Sequence, residues 1–480
     1  MQLAVATVLV SFASAAFAAD VQPTDNSPSK PWTLLIYGGV DSSAEAHILP
    51  HLQSLGALSS KGQAGQILLL MDRTPGHSDD DQILGENFED TRLFQLNGGT
   101  WNRVAGGAAF PEITQDSTYE ANSGHADTLG KFIDFGKKFA PAERYALIVF
   151  GHGDCRSVCP DLTSPNAERD EHDDPLYVAE LTHHLTAAQS VDLIWFDVCS
   201  FAAIENAYQL RPRGGAFSTQ AMLATPPVST PAPMSAILEQ AGILGEHSDG
   251  DKQPADGVAF GTVAVDVTAR HLAKASPLAS FSEAWSCFDL TAADDVKRAV
   301  DRLAVVLADG EHKQLAERIR GSGKKRPTLN YMSTVLAKDV ERAWVAAPHF
   351  DLYDLARRLD DDSATAPEVK SPARDVMHSV DRLVAASYGG RRYRNFEPGK
   401  HGVYIVFPDG DASWRDKPQW ARFGWYHPDD RQSHRYSFGN YAWCADGATA
   451  SNGVVENWFE LMDRWFDTDN ATGGLNGYRW

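Results

Sequence analysis

Basic residues are in deficit. The 480-residue chain sets 43 Lys and Arg against 64 Asp and Glu, a formal charge of −21. No Lys/Arg stripe interleaved with aromatics occurs anywhere. Neutralising phosphates takes clustered cations, so neither a nucleic-acid nor an anionic-membrane partner is expected. The acidity itself reads as solubility. Beyond the amino terminus no apolar run approaches the roughly 20 residues that a membrane helix needs. Also missing are a G-x-S-x-G elbow, a Walker loop, a dinucleotide fingerprint and an H-E-x-x-H zinc helix, which removes the common α/β enzymes built on those motifs. Cysteine is sparse, five residues in all, and the number is odd.

What is present is the composition of a folded globular protein, 43% apolar and 22% charged, which excludes wholesale disorder. Residues 1–18 read as a signal peptide. An apolar run over 3–10 is followed by small residues ending in Ala16-Phe17-Ala18, an A-x-A cleavage site, although Met1-Gln2 lacks the usual basic residue. No Cys follows the cleavage point, so no lipoprotein-type anchor is expected. The chain reads as exported, periplasmic or extracellular. An odd set of thiols in an oxidising compartment leaves at least one unpaired or engaged in an intermolecular bridge.

After a polar, Pro-rich linker over 19–30, short apolar runs alternate with amphipathic stretches, the pattern of a parallel or mixed sheet covered by helices. Residues 32–37, 66–71, 145–150 and 191–196 are six-residue runs without alternation, as strands buried on both faces require. Helical spacing covers 44–58, with Pro50 as a kink point, and also 130–139 and 176–188. Residues 84–107 read as a β-hairpin excursion and 216–219 as a fifth strand. Residues 292–307 and 373–386 have helical period, 402–407 strand character and 458–466 a final helix. The domains expected are a catalytic α/β domain over 31–290, a mainly helical region over 291–400 and a small strand-and-helix region over 401–480.

Open α/β sheets carry their functional loops at the carboxyl ends of the strands. Gly151-His152-Gly153-Asp154 follows the third run and Asp197-Val198-Cys199-Ser200 the fourth. If those strands are parallel neighbours, His152 and Cys199 emerge on one edge about one strand spacing apart, the geometry for proton exchange between thiol and imidazole. A cysteine attacks as thiolate, an imidazolium lowers its pKa, and the imidazole later protonates the leaving amine. The Gly153 and Cys199 N–H groups are the candidate oxyanion donors. A helix starting at Ser200 would add its positive end beside the sulfur. On this ground alone, a buried structural Cys199 is an equal alternative.

The segments YALIVFGHGD and VDLIWFDVCSFAAIENAYQL resemble the two catalytic signatures of the clostripain family, which shares a clan with caspases, legumain and gingipains. WTLLIYGGVDSS, AWSCFDL and HGVYIVFPDG resemble its first strand, the segment after its sheet and its late strand, so the resemblance covers about 31–410. It implies a caspase-like α/β/α sandwich with a central mostly parallel sheet, plus helical additions and a small C-terminal region. It implies also an exported cysteine endopeptidase with His152 and Cys199 as dyad. Asp197 matches the family's pocket acid, which selects Arg or Lys before the scissile bond through charge-assisted hydrogen bonds. The substrates are then peptides or proteins; nothing in the sequence sets an oligomeric state. A departure is that residues 218–222, expected to follow the fifth strand, lack the family's acid. Many relatives are cut near the active site, and Arg169 in the polar tract after His152 is the candidate self-cleavage point. The alternative function is an inactive peptidase-like binding or scaffold protein.

Cys155 and Cys159 are expected as a local disulfide, with Cys287–Cys444 as a second. His172-Asp173-Asp174 and His183-His184 lack ligand spacing and read as solvated faces, so no metal site is expected. No cofactor is expected either, with one reservation: calcium, which some relatives use. The Asp79–Asp81 and Asp360–Asp362 runs are its sequence candidates, though without EF-hand spacing.

Overall fold

The computed structural model describes residues 30–116, 118–163, 174–275, 281–309, 312–321, 327–331, 349–407, 441–449 and 453–466. The proposed leader and Arg169, His172 and Asp173 lie outside them. The strand-like runs do form strands: β1 (Lys30–Gly39), β2 (Gln66–Asp72), β5 (Ala142–Phe150) and β8 (Val191–Asp197). They are buried on both faces because successive side chains point to opposite sides. In β1, Trp32, Leu34 and Ile36 enter one core, shared with α1 (Glu45–Ser59), α5 (Met234–Gln240) and α6 (Gly257–Lys274). Leu35 and Tyr37 enter the other. That second core holds α2 (Ala126–Phe139), α3 (Val178–His184), α4 (Ile204–Leu210), α7 (Ala293–Asp309) and the helices Leu352–Asp361, Pro367–Leu383 and Trp458–Phe466. Two helical layers over one sheet make a three-layer sandwich.

The main sheet has nine strands in the order β12-β10-β9-β8-β5-β1-β2-β3-β4. The five central strands, with β9 at Thr219–Ala224, run parallel. β3 (Thr91–Asn97) and β4 (Thr100–Val104) form the expected hairpin, and both turn residues, Gly98 and Gly99, have positive φ (57° and 94°). A two-residue turn matching strand twist requires that conformation, which glycine adopts without steric cost. On the other side, β10 (Ala284–Asp289) and β12 (Val384–Gly389) close the sheet antiparallel.

Several boundaries differ from expectation: of the helix expected over 176–188, residues 176 and 177 end the strand Asp174–Tyr177 and the α-helix covers only Val178–His184. The fifth strand starts at Thr219 rather than 216, so residues 219–222 lie inside it and the loop that follows is the Pro-rich tract over 225–233. The helical run over 373–386 ends at Leu383, and the remainder joins the sheet as β12. Ala385 and Ala386 suit either conformation; pairing with β10 decides it.

The expected disulfides are absent: all five cysteines are free thiols. Cys159, with φ 50°, packs its side chain against the backbone of Gly39 and Gly151, so close that a Cβ on Gly39 would stand 2.4 Å from the Cys159 Cβ. Cys287 lies in the core on one face of the sheet and Cys444 in the core on the other, so a bridge would have to cross the sheet. Thiol titration of the denatured, unreduced protein should therefore return five thiols per chain, and reductant should leave Tm unchanged. Fewer thiols would reinstate a bridge.

Candidate active site

The register of two strands sets the site. β5 and β8 pair in parallel with Phe150 opposite Asp197, so His152 and Cys199 each stand two residues beyond the same level on strands about 4.8 Å apart. The two loops touch: a Cβ on Gly153 would lie 2.8 Å from the Val198 Cβ and 3.4 Å from the Cys199 carbonyl oxygen. A glycine is needed there for close approach rather than for its φ. β5 also neighbours β1, where the strand order reverses direction, the crevice that α/β sheets use for binding. Across it the Ser43 hydroxyl makes a 2.8 Å hydrogen bond to His152 Nε2.

The Cys199 loop is braced from three sides. Ser200 turns the chain sharply at φ 57° and donates its N–H to the Pro227 carbonyl (2.9 Å). Thr225, just past β9, donates through Oγ1 to the Val198 carbonyl (3.0 Å), and its own carbonyl accepts the Phe201 and Ala202 N–H groups. Tyr404, on the late strand Tyr404–Val406, donates its hydroxyl to the Ser200 carbonyl at 2.6 Å. The helix expected at Ser200 begins only at Ile204, because the left-handed Ser200 must first redirect the chain. A helix end directly beside the sulfur is thus not what the site uses.

Cys199 is half-buried, with Sγ 3.8 Å from the Ser229 carbonyl oxygen. Burial, and then the negative charges of Glu283 and Asp197, push its thiol above the ordinary range. His152 is pushed down, by desolvation first and then by His47 and His77. Thiol and neutral imidazole are thus the resting pair, not thiolate and imidazolium. Among the described hydrogen bonds neither the Gly153 nor the Cys199 N–H donates to another group.

Asp197 is buried, and both its oxygens accept the Ala232 N–H (3.2 Å each). Burial drives its carboxyl well up, and Glu283 adds to the shift. Glu283 accepts the Thr230 N–H and hydroxyl (3.1 and 3.2 Å) through Oε1, while Oε2 is buried without a partner. It is pushed up to about 7, chiefly by burial. The loop over 225–233 thus carries both acids' partners, two residues apart, beside the Cys199 sulfur.

The structure places the His152-Gly153 loop and the Asp197-to-Cys199 loop at one edge of the sheet, in contact at Gly153. Arg169 falls outside the described residues. Arg156, in the same tract, is buried. His183 and His184 lie on the exposed face of α3. Asp360 and Asp362 pair with Arg374 and Arg318, and Asp80 accepts the Ile83 N–H, so neither Asp run converges on a point. Ser43 and Glu283 were missed. Glu283 carried a usable signal: an acid immediately before an apolar run that pairs antiparallel with β9 returns to the same edge of the sheet.

Comparisons with known proteins agree. Residues 39–458 match the clostripain family. The chain is 32% identical over 477 residues to clostripain from Hathewaya histolytica, covering 93% of this chain and 89% of that protein. The chain belongs to the clostripain family. Among solved structures it is similar to a secreted cysteine protease from Bacteroides thetaiotaomicron, iotapain, with a TM-score of 0.52 at 12% identity, covering 82% of this chain and 99% of that one. The fold is accordingly the caspase-like α/β/α sandwich, and the chain is a cysteine endopeptidase. No helix among the described residues is long and apolar enough to cross a membrane.

The depressed imidazole is directly measurable. In the Cys199→Ala protein, the His152 ring protons followed by NMR should titrate with a midpoint below the ordinary value of 6.5, leaving the ring neutral at pH 7. A midpoint above it would mean that the surrounding acids outweigh desolvation.

Proposed function

We propose that Cys199 is the nucleophile and His152 its acid/base partner in an exported endopeptidase that cleaves after Arg or Lys. The observation that carries this reading is the level pairing of Phe150 with Asp197, which sets the two side chains on one edge. Cys199 Sγ gives its proton to His152 and attacks the scissile carbonyl carbon. The oxyanion is met by the Gly153 and Cys199 N–H groups. His152 then returns the proton to the leaving amine as the C–N bond breaks. A water molecule, deprotonated by the same imidazole, attacks the thioester and releases the acid and the thiol. Cys199→Ala should lower kcat by about 10⁴-fold or more, and His152→Ala similarly, because coupled catalytic groups fail together. Both variants should keep wild-type circular dichroism. A folded Cys199→Ala protein with substantial activity would remove the assignment.

Selection of a cation is supported by two buried acids beside the nucleophile. The family's acid after the fifth strand is missing, but Glu283 stands at the same edge and supplies a second carboxylate from the other chain direction. A cationic side chain would hold both ionised and occupy the open Glu283 Oε2. In a peptide-library profile Arg or Lys should dominate before the scissile bond. Asp197→Asn should reduce kcat/KM for those substrates by about 10- to 100-fold, the worth of a hydrogen bond to a charged group, and Glu283→Gln by a smaller factor. A preference for Asp, Asn or large apolar residues would overturn the specificity.

Export rests on residues 1–18, whose apolar run and Ala16-Phe17-Ala18 suit signal cleavage. Amino-terminal sequencing of the secreted form, expected to begin at Ala19, tests it.

A further inference from the structure

Beyond Glu283 the functional edge of the sheet carries a further pair of side chains that the chemistry at Cys199 does not use. β10 and β12 pair with Ala284 opposite Gly389. The ladder continues past that pair in the same register: the Gly390 N–H donates to the Glu283 carbonyl (2.8 Å) and the Arg392 N–H to the Phe281 carbonyl (3.0 Å). The Tyr393 hydroxyl holds the Ser282 carbonyl between them (2.5 Å). Side chains of an extended pair alternate between faces, so Phe281 and Glu283 share the face of Trp285 and Cys287, which enter the core under α5 and α6. Asp197 shares it too, following Leu193 and Trp195 of that core at the same period. Arg392, opposite Phe281, sets its guanidinium 5.9 Å from the ring centre. Phe281 is 44% exposed, one of four large apolar side chains so exposed among the described residues. Arg392 is half-buried; desolvation pulls its pKa down, and no carboxylate is among the charges acting on it. In a chain of charge −21, a half-desolvated guanidinium left without an acid is short of an anion.

We propose that Phe281 and Arg392 form a second recognition site for the peptide substrate, which takes an acidic side chain two residues before the one that faces Asp197 and Glu283. The placement rests on the endopeptidase reading above. His152 passes its proton to the leaving amine, so the carboxyl-side half of the substrate departs over β5. In the strand order β9 and β10 stand on the other side of β8, and the amino-side half runs that way. Side chains of an extended peptide return to the same face every second residue, roughly 7 Å on. Glu283 to Phe281 is the same step. A carboxylate there would meet the Arg392 N–H groups in a charge-assisted pair, while its methylenes cover the exposed ring. The two sites are opposite in sign: acids select a cation next to the scissile bond, and a cation selects an acid two residues earlier.

A peptide library varied at both positions and cleaved by the full chain separates the two readings, because Arg or Lys is read at one position and the acid at the other, whatever residue the first selects. Two residues before the selected one, Asp and Glu should be favoured over Asn and Gln by about fivefold in kcat/KM, the upper range of a partly exposed ion pair. Arg392→Gln should bring that ratio close to one, Arg392→Glu should turn the preference to Lys, and Phe281→Ala should reduce the ratio. A purely structural role of the Arg392 contact with Phe281 would lower kcat/KM for all peptides alike and leave the ratio in place. The proposal is overturned by a wild-type ratio near one, by a preference for aromatic or basic residues at that position, or by an acidic preference that persists in Arg392→Gln. Loss of the Arg or Lys preference alone would overturn that specificity and not this one, and no cleavage of any peptide would overturn both.

Discussion

The functional edge depends on the in-register parallel pairing of β5 with β8. Each strand is a continuous apolar run, so neither has a polar face that could fix its register by exposure; the cores on both sides do so instead. A slip of one residue would move every side chain of β8 to the opposite core and separate Cys199 from the level of His152. The nine-stranded sheet, its flanking helices and the late Tyr404 brace all serve to hold that alignment. Tyr404 lies more than 200 positions from Ser200, so part of what holds the Cys199 loop comes from far along the chain.

Electrostatics gives the site its second property. A buried thiol beside Asp197 and Glu283 resists ionisation, and a desolvated imidazole resists protonation. Both shifts oppose charge separation in the resting protein. A cationic side chain lodged against the two acids would cancel the field that holds the thiol up, so the proposed substrate itself would favour proton transfer to His152. The same acids that would select the substrate would thus keep the Cys199 thiol protonated without it.

Strands were legible where composition left no alternative. Residues 32–37, 66–71, 145–150 and 191–196 each lie inside an observed strand, because six apolar residues without helical period fit only a strand covered on both faces. The loops after two of them held His152 and Cys199 for the same reason: topology fixes which end of a parallel strand faces the crevice. Local propensity failed at 384–386, the end of the run read as helical, which instead opens β12 and pairs with β10. It failed too at Ser200, where a left-handed residue delays the helix. Cysteine counting failed because pairing depends on which face of the sheet each thiol occupies, and Cys287 and Cys444 lie on opposite faces. Glu283 was invisible to motif reading because its relation to Asp197 arises only from the antiparallel closure of β10 on β9.

That closure and the crevice beside β1 give the two loops opposite kinds of support. On the Cys199 side, Asp197 and Glu283 converge with Oε2 of Glu283 unpartnered. On the His152 side, Asp41 and Asp161 converge with Glu120, and Oδ1 of Asp41 is unpartnered. Each is an unfavourable arrangement for the protein alone, since a buried acceptor without a donor costs about 1–3 kcal/mol. Folding tolerates such costs at functional sites when binding relieves them. On the Cys199 side the cationic side chain proposed above would supply that relief.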